Sequence, residues 1–187
     1  IIDFDVHHGN GTQRIFYSRP DVLYISTHQF PFYPGTGQFT EVGKGEGRGF
    51  NVNLPISAGM GNYFYLMLYT NLVIPILREF QPQLILVSAG YDGHWDDPLA
   101  GMNLDTSGFG HIISLLNSVA EQVCDGRILY VLEGGYNLKV LPEAVLITLS
   151  NTFHVQRIKI EEERAGLYVE YQKKMSQFFS SYWKILR

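Results

Sequence analysis

Five short apolar runs, at residues 1–6, 22–27, 50–54, 84–88 and 128–132, most constrain what this chain can fold into. Each is rich in β-branched and aliphatic residues, and such runs separated by helix-length segments point to a sheet covered on both faces. Helical spacing fills the intervals at 12–17, 63–80, 107–123 and 138–149. Pro75 is expected to kink or divide the second of these, and Thr106 or Ser107 to cap the third. Strand and helix in alternation predict an α/β fold, a parallel sheet with helices on both faces.

Composition agrees with one sizeable core, at 45% hydrophobic content over 187 residues. A net charge of −4 without a basic run argues against direct contact with nucleic acid or an anionic membrane. No apolar run reaches the ~20 residues of a membrane span. The single cysteine, Cys124, leaves no internal disulfide and fits a cytoplasmic setting, or a nuclear one in a eukaryote. The chain opens on Ile1-Ile2, already inside a strand, so further N-terminal strands are expected upstream.

Two segments break the alternation. Residues 28–49 carry Pro31, Pro34 and six glycines, too irregular for a helix and too long for a routine turn. The glycine-rich tract at 43–49 lacks a dinucleotide fingerprint and the Gly-Lys-Ser/Thr ending of a phosphate loop, and reads as a flexible return. From 158 to 186, Ile160, Leu167, Tyr171, Met175, Phe178, Tyr182 and Leu186 recur at helical spacing opposite Glu161, Glu162, Glu163, Lys173 and Lys174. That stripe predicts docking on the core or on a partner.

The chemistry concentrates where strands end. Asp5 and His7 are two residues apart at the end of the first run, so on an extended strand they share a face. The fourth run is followed by Asp92, Asp96 and Asp97, and the fifth by Glu133-Gly134-Gly135-Tyr136. Ligands of open parallel sheets bind beyond the carboxyl ends of the strands. Two carboxylates, an imidazole and a phenol are therefore brought toward one place. Three protein ligands with an open position is the arrangement of a catalytic zinc site, although such a donor set also accepts iron(II).

Taken in order, Asp3-Phe4-Asp5-Val6-His7-His8-Gly9-Asn10-Gly11-Thr12, Pro34-Gly35-Thr36-Gly37, Ser88-Ala89-Gly90-Tyr91-Asp92 with Asp97-Pro98, and Leu132-Glu133-Gly134-Gly135-Tyr136-Asn137-Leu138 resemble the zinc-dependent histone deacetylase family. The forms of the third and fourth motifs are closer to its class II and bacterial deacetylase-like amidohydrolase members. The resemblance implies an arginase/deacetylase-like fold, with residues 1–153 forming the carboxyl-terminal part of a catalytic domain. Residues 154–187, matched by none of these motifs, read from their own stripe as an amphipathic helix packing on that core or mediating an oligomer. The resemblance also implies Asp5, His7 and Asp97 as zinc ligands and Tyr136 as donor to the substrate oxyanion. Tyr33 and Gly135 would line an acyl-lysine channel. A potassium ion would lie near Asp3, Asp5, His7, Ser26 and Thr27.

The implied reaction is hydrolysis of the acetyl amide of N-acetyl-lysine, or of an acetylated polyamine, with release of acetate. In the family a His-His pair upstream of the zinc motif supplies the acid and base, so these 187 residues alone are expected to be poorly active. His8 should face away from the ligands, His28 should lie behind them and His94 at the rim, with His111 and His154 in helical or exposed surroundings. For Asp92 and Asp96 the plain reading is loop ordering and solvation. Two other classes compete. A non-catalytic acyl-lysine binding module need not keep Tyr136, and a binuclear ureohydrolase needs a further carboxylate where Gly9 stands.

Overall fold

The computed structural model describes residues 1–150 and 162–187. Its strands are β1 (Ile2–Asp3), β2 (Tyr24–Gln29), β3 (Asn51–Ile56), β4 (Ile85–Ala89) and β5 (Ile128–Leu132). Its helices are α1 (Asn10–Phe16), α2 (Asn62–Leu68), α3 (Ile74–Phe80), α4 (Thr106–Cys124), α5 (Val140–Leu149) and α6 (Glu162–Phe179). The strands form one parallel sheet in the order β3-β2-β1-β4-β5. Ile2 pairs with Ile25 on one side and Val87 on the other, so the shortest strand lies at the centre. The chain leaves β1 toward β2 and β3, then returns through α2 and α3 to β4 on the opposite side of β1. Strand order thus reverses between β1 and β4, and the crevice at their carboxyl ends is where such a sheet accepts a ligand.

Burial follows position in the sheet. All six residues of β2 are buried, including Ser26, Thr27, His28 and Gln29, whose polar groups find hydrogen-bond partners inside the fold. At the edge, β5 leaves Leu129 and Leu132 each 56% exposed, so coverage on both faces does not extend to this strand among the described residues. Beneath the reversal point, Phe4, Tyr91 and Phe109 pack edge to face or tilted, with centroids 5.3–5.9 Å apart.

Local departures from the expected elements have identifiable causes. β1 ends at Asp3 rather than Val6, because Asp5 and His7 lie in a bend. Pro75 interrupts its segment without breaking it: the helical path runs on from α2 to α3 through a π turn over Tyr69–Val73, where Ile74 N donates to Tyr69 O, just before the residue that lacks an N–H. The cap of α4 is Asp105, whose carboxylate accepts from Gly108 N at 2.9 Å. Gly45–Gly47 is a 3₁₀ turn, with Gly47 packed against the backbone of Ser18 and Arg19.

In α6 the buried side chains are Tyr168, Met175 and Phe179, whereas Leu167 is half exposed. The Tyr168 hydroxyl donates to Met67 O and accepts from Asn71 Nδ2, both at 2.9 Å, which ties the helix to the end of α2 and the π turn. The boundary at 153/154, His154, Ile160 and Glu161 lie outside the described residues. No described helix is long and apolar enough to cross a membrane.

Candidate metal centre

Asp5, His7 and Asp92 form the one group of three acidic or imidazole side chains, among the described residues, whose ligand atoms lie within 4.8 Å of one another. Asp5 and His7 come from the bend after β1, and Asp92 from the loop after β4. Asp5 Oδ1 accepts from His7 N at 2.8 Å, a local turn that brings the two side chains together without the pleat of a strand. His7 Nδ1 then lies 3.1 Å from Asp5 Oδ1 and 3.0 Å from Asp92 Oδ2.

Glycines allow this convergence. A Cβ on Gly134 would collide with Asp92 Oδ2 and come within 2.6 Å of Asp5 Oδ2. In the absence of that carbon, Gly134 N donates to Asp5 Oδ2 at 2.8 Å, and Tyr91 N donates to Gly134 O at 2.8 Å. The loop after β5 is therefore bonded to the ends of both β1 and β4. Gly9 plays a comparable part behind the site, since a Cβ there would lie 2.5 Å from both Asp3 Oδ2 and Tyr24 Oη. A carboxylate at position 9 has no room, which removes the ligand a binuclear ureohydrolase would need.

The cluster carries more negative charge than the protein itself offsets. Asp92 is fully buried; Oδ1 accepts from Val6 N at 2.9 Å, while Oδ2 has the His7 ring nitrogen 3.0 Å away but outside hydrogen-bond geometry. Burial first, and the neighbouring Asp5 carboxylate second, push the Asp92 pKa well above the usual carboxylate range. An acceptor that is buried and unsatisfied is costly unless a cation faces it. A hard or borderline divalent ion fits this oxygen and nitrogen donor set.

The remaining expected residues lie around this cluster. Asp97 is buried but outside the tight group, with Oδ1 accepting from Leu99 N at 2.9 Å and Oδ2 from Tyr136 N at 2.8 Å. Tyr136 is half exposed; burial, then the charges of Asp92, Asp5 and Asp97, raise its pKa, so the phenol keeps its proton. Gly135 has φ +140°, a conformation that favours glycine. Tyr33 sits edge-on to His7 at 6.2 Å between centroids and is 76% exposed. Phe32, which the sequence did not single out, stacks on His7 at 5.3 Å and 20°. Its proximity to Tyr33 was the available signal.

The potassium candidates are adjacent, because Asp3 pairs with Ser26 in the sheet and Thr27 Oγ1 donates to Asp3 O at 3.3 Å. Asp3 itself is pushed up to about 7, chiefly by burial. His8 and His28 are buried together, 4.8 Å between ring centroids. Burial lowers both pKa values, that of His28 to about 3. His94 is buried rather than at the rim, its Nδ1 accepting from Asp96 N at 3.1 Å. His111 is also buried, within α4. Asp96 is exposed and accepts from Asn137 Nδ2 at 2.9 Å.

Most of the chain matches known proteins. The family described as Histone deacetylase domain matches residues 1–152. A chloroplastic protein of Oryza sativa subsp. japonica named Histone deacetylase 10 is 47% identical over 148 residues, covering 79% of this chain and 33% of its own length. A probable deacetylase of Archaeoglobus fulgidus is 46% identical over 139 residues, covering 74% of this chain and 39% of its own. The solved structure of the histone deacetylase Clr3 superposes with a TM-score of 0.88 at 34% identity, over all of this chain and 32% of that one. The chain thus spans between a third and two fifths of the length of these two curated relatives.

Proposed function

Since the chain belongs to the histone deacetylase family, we propose that its cluster holds a catalytic zinc ion and takes part in hydrolysing the acetyl amide of N-acetyl-lysine to free lysine and acetate. The observation that carries this reading is the meeting of Asp5, His7 and a buried, unsatisfied carboxylate at the strand reversal, with Tyr136 beside them. Bound there, zinc would supply Lewis-acid chemistry, lowering the pKa of a water toward ~7 and polarising the amide carbonyl.

The protein's own groups supply the rest. Asp5, His7 and Asp92 would hold the ion, since their donor atoms lie within 4.8 Å of one another. Asp97 has both carboxylate oxygens oriented by backbone amides, and each keeps a lone pair, which supports a second assignment with Asp97 as the third ligand.

Tyr136 directs a neutral phenol O–H at the carbonyl oxygen as it gains charge, a contribution of about 3 kcal/mol for one preorganised donor. Phe32 and Tyr33 form an aromatic wall beside His7 that suits the aliphatic stem of an acylated lysine. His8, His28 and His94 have ring nitrogens engaged in other contacts, so the general base is assigned to a His-His pair outside the described residues. The test is acetate release from an N-acetyl-lysine peptide by the intact gene product. Turnover is expected to disappear on chelation and return with zinc; no acetate under zinc-replete conditions would overturn the reading.

A further inference from the structure

The aromatic wall stands on a loop whose shape is held from behind by a closed circuit of polar side chains. Glu41 is its hub. Oε1 accepts from Gly37 N at 3.2 Å and Gln38 N at 3.0 Å, and Oε2 accepts from Gln13 Nε2 at 2.6 Å. Gln13 Oε1 faces Asn51 Nδ2 at 2.9 Å, Asn53 Nδ2 at 2.8 Å and His8 Nε2 at 3.1 Å. His8 Nδ1 closes the circuit on Thr36 Oγ1 at 2.8 Å, in the same loop as Phe32 and Tyr33.

This circuit has a direction. A carboxylate only accepts, so Glu41 turns the Gln13 amide nitrogen toward itself and the Gln13 carbonyl toward His8. His8 must then carry its proton on Nε2, leaving Nδ1 to accept from the Thr36 hydroxyl. The two asparagines cannot adapt by turning over, because Asn51 Nδ2 also donates to Glu41 O at 2.5 Å and Asn53 Nδ2 to Gln38 O at 3.3 Å. Gly37 rests directly on both imidazoles: its carbonyl accepts from His28 Nε2 at 2.9 Å, and a Cβ there would lie 2.7 Å from His8 Cγ. The backbone that carries Phe32 and Tyr33 to His7 is thus held at Gly37 and Gln38 by Glu41 directly, at Thr36 through Gln13 and His8, and at the Gly37 carbonyl by His28.

We propose that Glu41 is a positioning residue which, through Gln13 and the tautomer of His8, sets the placement of the Phe32–Tyr33 wall and so the binding of the acyl-lysine stem. The inference rests on the reading of that wall as part of the substrate channel. E41Q keeps the shape of residue 41 but gives it an amide nitrogen, which must face either the Gln13 nitrogen or the amides of Gly37 and Gln38. Reversing Gln13 moves the conflict to His8 and the asparagines. In the exchange Q13E/E41Q every donor again meets an acceptor, and the total charge is unchanged.

The experiment is this double-variant cycle in the intact gene product, read by steady-state kinetics on an N-acetyl-lysine peptide and by ¹⁵N-histidine NMR. E41Q is expected to raise KM by about tenfold, the scale of one or two broken hydrogen bonds, with kcat changed by less than about twofold. Its His8 signal should leave the Nε2–H tautomer, and Q13E/E41Q should restore both. An unchanged KM in E41Q, or a double variant as impaired as E41Q, overturns the proposal. Should E41Q be too unstable to assay, the double variant must still fold with the parental KM and exceed Q13E in stability, and failure in either respect also overturns it. The NMR separates this inference from the proposed function. A protein that releases no acetate refutes the deacetylase reading, whereas a His8 tautomer indifferent to E41Q refutes the circuit.

Discussion

Gly134 N donates to Asp5 Oδ2 at 2.8 Å, joining the loop after the last strand to the bend after the first. The bond exists because position 134 has no side chain to strike Asp92 and Asp5. Gly134→Ala is therefore expected to push those carboxylates apart. Zinc content measured by atomic absorption should fall below one ion per chain while the fold, read by circular dichroism, persists. Full zinc occupancy in the variant would show that the close approach is dispensable.

Asp97 and Asp92 can be separated by the same measurement. Asp92→Ala removes the proposed third ligand, and stoichiometric zinc should be lost. Asp97→Asn keeps an acceptor for Leu99 N and removes a charge beside the site, so zinc should be retained with weakened affinity. The reverse pattern would make Asp97 the ligand.

Tyr136→Phe deletes one hydroxyl from a half-exposed ring. Zinc content should not change, and kcat should fall by about 10²- to 10³-fold, the loss typical of one oxyanion donor. Turnover equal to that of the parent protein would remove Tyr136 from the chemistry.

Phe109 is fully buried against Phe4 and Tyr91, under the loops that bear the ligands. Phe109→Ala should lower unfolding stability by about 3–5 kcal/mol, the range for a large core side chain truncated to Ala. Urea denaturation followed by tryptophan fluorescence measures it, and a loss under about 1 kcal/mol would mean that the site closes over the gap.

His28 makes stability sensitive to acid. Its folded pKa, lowered to about 3 by burial first and His8 second, lies below the ~6.5 of an exposed imidazole. Between these values the unfolded chain binds a proton that the folded chain does not. The contribution is complete above pH ~6.5 and declines as pH falls toward about 3, by up to about 1.4 kcal/mol per pH unit. Urea midpoints for His28→Gln should show a shallower decline over that window, and parallel curves would count against the assignment.

The parallel α/β class was legible in the amino-acid order alone, because short β-branched and aliphatic runs separated by helical spacing call for strands with covered faces. The order of the motifs likewise pointed to Asp5, His7 and Tyr136, since residue type and position relative to strand ends are local properties. Other features depended on neighbours far apart in the chain. The reversal between β1 and β4 makes their carboxyl ends one site, and only that packing brings Asp92 to 3.0 Å from His7. The same holds for Phe32 on His7, for Tyr168 rather than Leu167 as the buried residue of α6, and for the ring from Glu41 to Thr36. Hydrogen-bond direction and burial depend on which groups meet in space, so contacts between residues 5 and 134 or 13 and 41 leave no periodic trace in the sequence.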